Sequence, residues 1–251
     1  MILMTTLSII IPVYNEEKTV QKILEKVNNV NLIGGISKEI IIVNDCSTDL
    51  TESQVLHYIN EHKDLDMRYF SHTVNQGKGA ALHTGIDQAT GDYVIVQDAD
   101  MEYDPNEYNL LLKPFLDGVA DVVYGSRFMG GRPHRILFFW HSIGNKILTF
   151  ISNVFTGLNL TDMETCYKCF RREYIQKMIL KEKRFGFEPE VTAKIARFKK
   201  IRIYEVGISY YGRTYEEGKK INWKDGLAAI YHLIFFNIFV SKEKAFKGSS
   251  I

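Results

Sequence analysis

Six residues, Gln97-Asp98-Ala99-Asp100-Met101-Glu102, carry the sharpest chemical signal in the chain. They directly follow Tyr93-Val94-Ile95-Val96, an apolar run that reads as a buried strand. Two carboxylates one residue apart at a strand end repel each other and lose solvation unless a cation neutralises them. Mg2+ or Mn2+ suits that task, because one or two carboxylates and the oxygens of a bound phosphate complete its shell. Lys78 lies in a glycine-flanked turn opening a helix, where backbone amides and the helix dipole favour anions. Arg127, Arg135 and Arg213 offer planar forks to phosphate oxygens, and Lys220 a point charge. Arg132 competes with Arg135, since both flank one glycine- and proline-containing loop. Taken singly, the acidic run would suit a solvated loop and Lys78 a solvated helix start.

These residues need a frame. Short β-branched runs at 7–13, 39–44, 67–71, 92–97 and 121–124 alternate with helical periodicity at 16–29, 50–62, 78–89 and 106–116. That alternation predicts an α/β fold with a mostly parallel sheet covered by helices on both faces. Ligands of such sheets bind beyond the carboxyl ends of the strands. Tyr14-Asn15-Glu16, Asp45-Cys46-Ser47 and Asp98-Ala99-Asp100 all fall there. The second half adds basic helices and a strand at 202–211 that complete the same domain. Residues 137–158 repeat apolar side chains at helical spacing, with Asn145, Thr149, Ser152 and Thr156 between them. Residues 227–240 are apolar nearly all round but too short to cross a bilayer. Followed by Lys242, Lys244 and Lys247, they suit a helix lying in a membrane interface or docked on the domain. The expected organisation is one domain over 1–226, in two halves (1–125 and 126–226), then an apolar helix and basic tail over 227–251.

The 251 residues carry 31 Lys+Arg against 30 Asp+Glu, and 45% are apolar, which excludes disordered, collagen-like and disulfide-stapled classes. The near-neutral total hides a split. Residues 1–125 hold 8 basic and 19 acidic side chains, and residues 126–251 hold 23 and 11. The basic half therefore faces phosphates or lipid headgroups. Nucleic acid is not expected as a partner, because no finger, basic zipper or RNA-binding signature appears. Cys46, Cys166 and Cys169 are odd in number, and with no secretory signal in view they point to a reducing cytosol. The C-x-x-C of Cys166 and Cys169 lacks two further zinc ligands and reads as plain buried cysteines.

Ile9-Ile10-Ile11-Pro12-Val13-Tyr14-Asn15-Glu16, Ile41-Ile42-Val43-Asn44-Asp45-Cys46-Ser47-Thr48-Asp49, Asn75-Gln76-Gly77-Lys78-Gly79-Ala80-Ala81 and the Asp98–Glu102 run occur in that order. Together with Gly125-Ser126-Arg127-Phe128, Thr161-Asp162-Met163-Glu164-Thr165-Cys166-Tyr167 and Arg213, they resemble family 2 glycosyltransferases of the GT-A fold, a Rossmann-like architecture. The likeness spans nearly the whole chain and is nearest to the polyprenyl-phosphate sugar synthases. It implies that Pro12, Tyr14, Glu16, Asp45, Lys78, Asp98, Arg213 and Lys220 meet the nucleotide sugar. It further implies that Asp98, Asp100 and Glu102 hold Mg2+ or Mn2+, and that Arg127 and Arg135 take the acceptor phosphate. Asp162, Asp100 and Arg127 are the implied catalytic residues, with Asp162 a base or acceptor-positioning carboxylate. Glu102 departs from the family's common Gln, and Asn44 from a common aspartate. Glu188 and Glu190 read as acidic residues complementing the dipole of a helix start.

The implied reaction is inverting transfer of a hexose from GDP-mannose or UDP-glucose to a polyprenyl or dolichyl phosphate. Its implied setting is cytoplasmic, peripheral on the cytosolic face of a membrane, beside a membrane-protein partner or as a homo-oligomer. The competing readings are a family 2 enzyme extending a cell-surface glycan and a non-catalytic membrane-docking module.

Overall fold

The isoleucine run of the first strand is extended from Thr6 to Val13 as β1. Parallel to it lies β2 (Ser37–Asn44), with Ile9, Ile10 and Ile11 opposite Ile40, Ile41 and Ile42. β3 (Met67–Ser71) continues beyond β2, and β4 (Tyr93–Val96) pairs with the other side of β1. The sheet then takes in β5 (Val122–Ser126), β6 (Lys168–Arg171) and β7 (Ile203–Gly207) in the order β3-β2-β1-β4-β6-β5-β7. β6 runs antiparallel to both its neighbours, while β5 and β7 are parallel. Every residue of β4 and β5 is buried, as a sheet covered on both faces requires. This computed structural model describes residues 5–136, 139–214, 216 and 223–248.

The covering helices are α1 (Val20–Asn29), α2 (Thr51–Glu61), α3 (Lys78–Gln88), α4 (Tyr108–Leu116), α5 (Phe139–Thr156), α6 (Arg172–Lys177), α7 (Phe187–Ile195), α8 (Trp223–Ile234) and α9 (Lys242–Ala245). A π-helical turn, Phe235–Phe239, prolongs α8. α3 crosses β1 so closely that a Cβ on Gly85 would stand 2.3 Å from Ile10 Cγ2. Truncating Ile10, which is fully buried, would cost about 2–5 kcal/mol.

The fold class and the first-half elements follow the sequence expectation, with differences at the ends. α1 begins at Val20 rather than 16, because Asn15–Thr19 forms the turn that leaves β1. β7 stops at Gly207 because Glu107, beside α4, captures the Ser209 amide and hydroxyl. β6 was not expected at all, since Lys168-Cys169-Phe170-Arg171 has neither alternation nor a β-branched residue. The 226/227 boundary falls inside α8, whose Leu233 and Ala229 are buried in the main core.

Candidate active site

Three strands end in the same unusual way. Asn15, Cys46 and Met101, just past β1, β2 and β4, adopt φ of 53°, 61° and 67°. For non-glycine residues that left-handed conformation costs about 1–2 kcal/mol, so surrounding contacts must hold it. At β4 the hold is visible. Gln97 is fully buried and accepts hydrogen bonds from Tyr108 (2.7 Å) and Tyr167 (2.6 Å), while its amide donates to the Asp98 carbonyl (2.9 Å). A core of tyrosines thus fixes the strand end from which the acidic run departs.

Two cations from distant parts of the chain reach that run. Lys78 Nζ lies 2.7 Å from one oxygen of Asp98 and 3.0 Å from the other. Arg213 donates to Asp100 (2.9 Å), and its backbone N–H to Glu102 (2.8 Å). Its guanidinium also lies 3.8 Å from Glu16, bringing the first strand's loop into the cluster. Burial pushes the Asp100 carboxyl up to about 7, and Asp98 and Glu102 push the same way, against the pull of Arg213. Four carboxylates, of Glu16, Asp98, Asp100 and Glu102, thus gather around two cations, which do not fully balance them. Burial opposes the charge on Lys78, yet Asp98, Cys166 and Glu188 outweigh it and hold the amine well above the usual lysine range.

Among the described residues no three His, Cys, Asp or Glu side chains converge into a preformed metal cage. Glu102 explains part of this. Its second oxygen accepts from Tyr210 (2.6 Å), so both its oxygens are engaged within the protein, and it anchors Arg213. Asp98 and Asp100 remain, at a partly open strand end with side chains 18% and 17% exposed. Such a carboxylate pair fits a hard divalent cation whose other ligands are phosphate oxygens and water.

The acceptor-side residues are equally interlocked. Arg127 grips Asp162 through Nε and Nη2, both at 2.7 Å, and through its backbone N–H at 3.0 Å. Its guanidinium also stands 5.2 Å from the Tyr210 ring centroid. Asp162 is fully buried, and Glu205 of β7 accepts its N–H (3.2 Å). Asp162, expected as a base or an acceptor-positioning carboxylate, has both oxygens engaged by Arg127, which suits the positioning role. Arg135 is exposed and donates to the Gly212 carbonyl (2.9 Å), beside Arg213; Arg132 is exposed as well.

Asp45, expected to meet the nucleotide sugar, is 2% exposed and receives the amides of Gln76 (2.9 Å) and Gly77 (2.7 Å). His72 shares its Oδ1 at 2.7 Å. It fixes the turn ahead of α3. That helix start does not offer open amides to an anion either. The Lys183 carbonyl accepts the Ala80 N–H (3.1 Å), and a Cβ at Gly77 or Gly79 would lie 2.4 or 2.2 Å from the carbonyls of Lys183 or Glu182. Glu190, paired with Lys194 and fully buried, accepts the N–H groups of Lys181 and Glu182 and so holds this loop. Glu188 faces Lys78 at 3.9 Å. Both glutamates stand in the first turn of α7, as expected, and they also brace the site. Tyr14, 38% exposed, and half-buried Pro12 and Glu16 line the end of β1. Lys220 lies outside the described residues.

Two site residues were missed in the sequence. Glu164 has a buried oxygen without a hydrogen-bond partner among the described residues, and Lys168 is fully buried beneath the Tyr124 ring. Burial, with Glu188, pushes the Glu164 carboxyl up to about 8, against Lys168 and Arg127. Burial also pulls the Lys168 amine down, against Glu188 and Glu164. The signal for Glu164 was its spacing: it stands two residues beyond Asp162 in the same quoted motif.

The sequence model described as glycosyl transferase family 2 matches residues 8–179, which include Asp98, Asp100, Arg127 and Asp162. The chain belongs to glycosyltransferase family 2. It is 30% identical over 216 residues to a dolichyl-phosphate beta-glucosyltransferase of Trichomonas vaginalis, covering 81% of this chain and 65% of that protein. A UDP-N-acetylglucosamine–dolichyl-phosphate N-acetylglucosaminyltransferase of Methanococcus voltae is 26% identical, covering 92% of this chain and 95% of that protein. The chain thus spans just under two thirds of the Trichomonas relative and almost all of the archaeal one. Glucosyl-3-phosphoglycerate synthase of Mycobacterium tuberculosis, crystallised with Mn2+ and UDP-glucose, superposes with a TM-score of 0.70 at 19% identity, covering 95% of this chain and 81% of that one. That likeness establishes the GT-A fold of this family member.

Proposed function

We propose that this family 2 member moves a hexose, from GDP-mannose or UDP-glucose, to the phosphate of a polyprenyl or dolichyl acceptor, inverting the anomeric carbon. The observation that carries the reading is the cluster at the end of β4. There Lys78 and Arg213, from separate elements, meet Asp98 and Asp100, with Glu16 and Glu102 adding two further carboxylates to only two cations. Lys78 and Arg213 would bind the diphosphate, and Tyr14, Pro12 and Glu16 the nucleoside side. Asp98 and Asp100 would hold Mg2+ or Mn2+, which supplies Lewis-acid stabilisation of the departing diphosphate.

The bond from the anomeric carbon to the nucleoside diphosphate breaks as an acceptor phosphate oxygen attacks the opposite face. A phosphomonoester has a second pKa of about 6, so near neutrality it needs no strong base. This removes the demand that Asp162 be one. Asp162 holds Arg127, whose outer edge, with exposed Arg135, would orient the acceptor phosphate. The catalytic organisation proposed is one unit over 1–226, and its setting the cytosolic face of a membrane. Among the described residues no helix is long and apolar enough to cross one.

The test is a matrix of donors and acceptors. Purified protein with Mn2+ or Mg2+ is incubated with GDP-mannose, UDP-glucose and UDP-N-acetylglucosamine, each with and without a short polyprenyl phosphate. Acceptor-dependent lipid-linked sugar from one donor supports the reading and names the sugar. Donor binding without lipid product moves the acceptor to a glycan, and no donor binding at all removes the enzyme reading.

A further inference from the structure

Helix α5 is inside out. Its buried positions are Leu148, Thr149 and Ser152, two of them hydroxyl residues. Its outward positions are Phe139 (67% exposed), Trp140 (77%), Ile147 (50%), Phe150 (68%) and Val154 (65%). At 100° per residue these five fall on one side of the helix, with half-buried Ile143 among them and only Lys146 at the margin. The inner side has its own occupation. Thr149 accepts the Met163 N–H (3.1 Å), and Asn153 exchanges hydrogen bonds with Leu160 through its amide (2.8 and 3.1 Å). α5 therefore clamps the segment that carries Asp162 with its polar face and turns its apolar face away.

A second apolar row lies on the neighbouring helix. Leu227, Tyr231, Ile234 and Ile238 recur at helical spacing along α8 and its π turn, all exposed, with Phe239 beside them (69%). Exposed cations bound both rows: Arg132, Arg135 and Lys146 on the α5 side, Lys242 and Lys244 beyond α8.

We propose that these two rows form one docking face for an anionic lipid surface, and that it lies one helix thickness from the acceptor-side arginine. The charge around the face selects the occupant. A second copy would oppose the same cationic margin to itself, whereas anionic headgroups neutralise it while the rings enter the acyl boundary. The depth also fits. An α-helix with its side chains is about 10–12 Å across, so the clamp on the Asp162 segment stands near headgroup level. A lipid-borne phosphate would meet Arg127 without leaving the surface, a consequence that rests on the proposed acceptor; the docking itself does not.

The experiment uses the full chain and vesicles lacking any polyprenyl phosphate: phosphatidylcholine alone, and with phosphatidylglycerol. Expected is co-flotation with the mixed vesicles and a blue shift of Trp140 emission, taken as the difference from Trp140→Phe. Phe150→Asp combined with Phe239→Asp lowers partitioning about tenfold or more. Val74→Asp, at an exposed apolar position elsewhere, leaves it unchanged. Thermal stabilisation by UDP or GDP, unaltered in the double variant, shows that the donor half is folded. Flotation that is absent, or equal in wild type and the double variant, overturns the proposal. So does a concentration-dependent dimer in sedimentation that the double variant abolishes, which gives the face to a second copy. Docking in vesicles alongside failure of lipid-sugar synthesis would sink the acceptor reading and leave this one standing.

Discussion

At the strand ends the charged side chains are held in pairs across elements, Lys78 with Asp98, Arg213 with Asp100 and Arg127 with Asp162, whereas α5 keeps its hydroxyls inside and its rings outside. The first region spends its polar groups on preorganisation. The second leaves apolar area unspent. Both are departures from the usual rule of apolar within and polar without. In the proposed reading a small charged ligand completes the first and a lipid surface the second.

The largest expected effect tests the first region. Asp100→Asn removes one of the two carboxylates that fit a metal, and turnover falls about 100–1,000-fold while the circular dichroism spectrum is unchanged. Unaltered turnover in Mn2+ would show that the uncompensated charge there has no catalytic use. Next, Arg127→Lys replaces the fork that grips Asp162, and kcat/KM for the acceptor falls about 10–100-fold with donor affinity intact. An equal loss of donor affinity would break the division between the two sides. Gly77→Ala forces a Cβ at φ 98° to within 2.4 Å of the Lys183 carbonyl. It should lower stability by about 1–3 kcal/mol and raise the donor KM, read by thermal melts and kinetics.

The smallest effect concerns pH. The Glu164 carboxyl is raised from its ordinary 4.5 to about 8 in the folded state. The folded state therefore favours its protonated form, and this contribution is fully present below 4.5 and lost as pH rises through about 8. Glu164→Gln should flatten the fall of melting temperature between about pH 4.5 and 8, as followed by calorimetry. Parallel curves for the two proteins would mean that solvent reaches the carboxyl.

Much of the first half was legible because its strands are buried on both faces, so burial writes itself as unbroken runs such as Ile9-Ile10-Ile11 and Ile40-Ile41-Ile42. The acidic run was legible for a chemical reason, since paired carboxylates after a strand are rare without a use. β6 was hidden because its Lys168 and Arg171 look like surface residues, and the Tyr124 ring, the Thr165 carbonyl, Glu188 and Glu164 make a buried lysine tolerable. For α5 the spacing gave the existence of an apolar face but not its direction. Periodicity is blind to which side of a helix meets the core. The partners of Asp45 and Asp162 were hidden for a related reason: the Gln76–Gly77 amides and Arg127 lie far along the chain.

The insertion of β6 between β4 and β5 bears on how the chain is made. As synthesis proceeds, β5 leaves the ribosome before the strand that will lie between it and β4, which emerges only after all of α5. Until then an exposed sheet edge and an inside-out helix coexist on one nascent chain, a combination open to wrong pairing. Contact of α5 with the proposed lipid surface would shield one of the two before the sheet is complete.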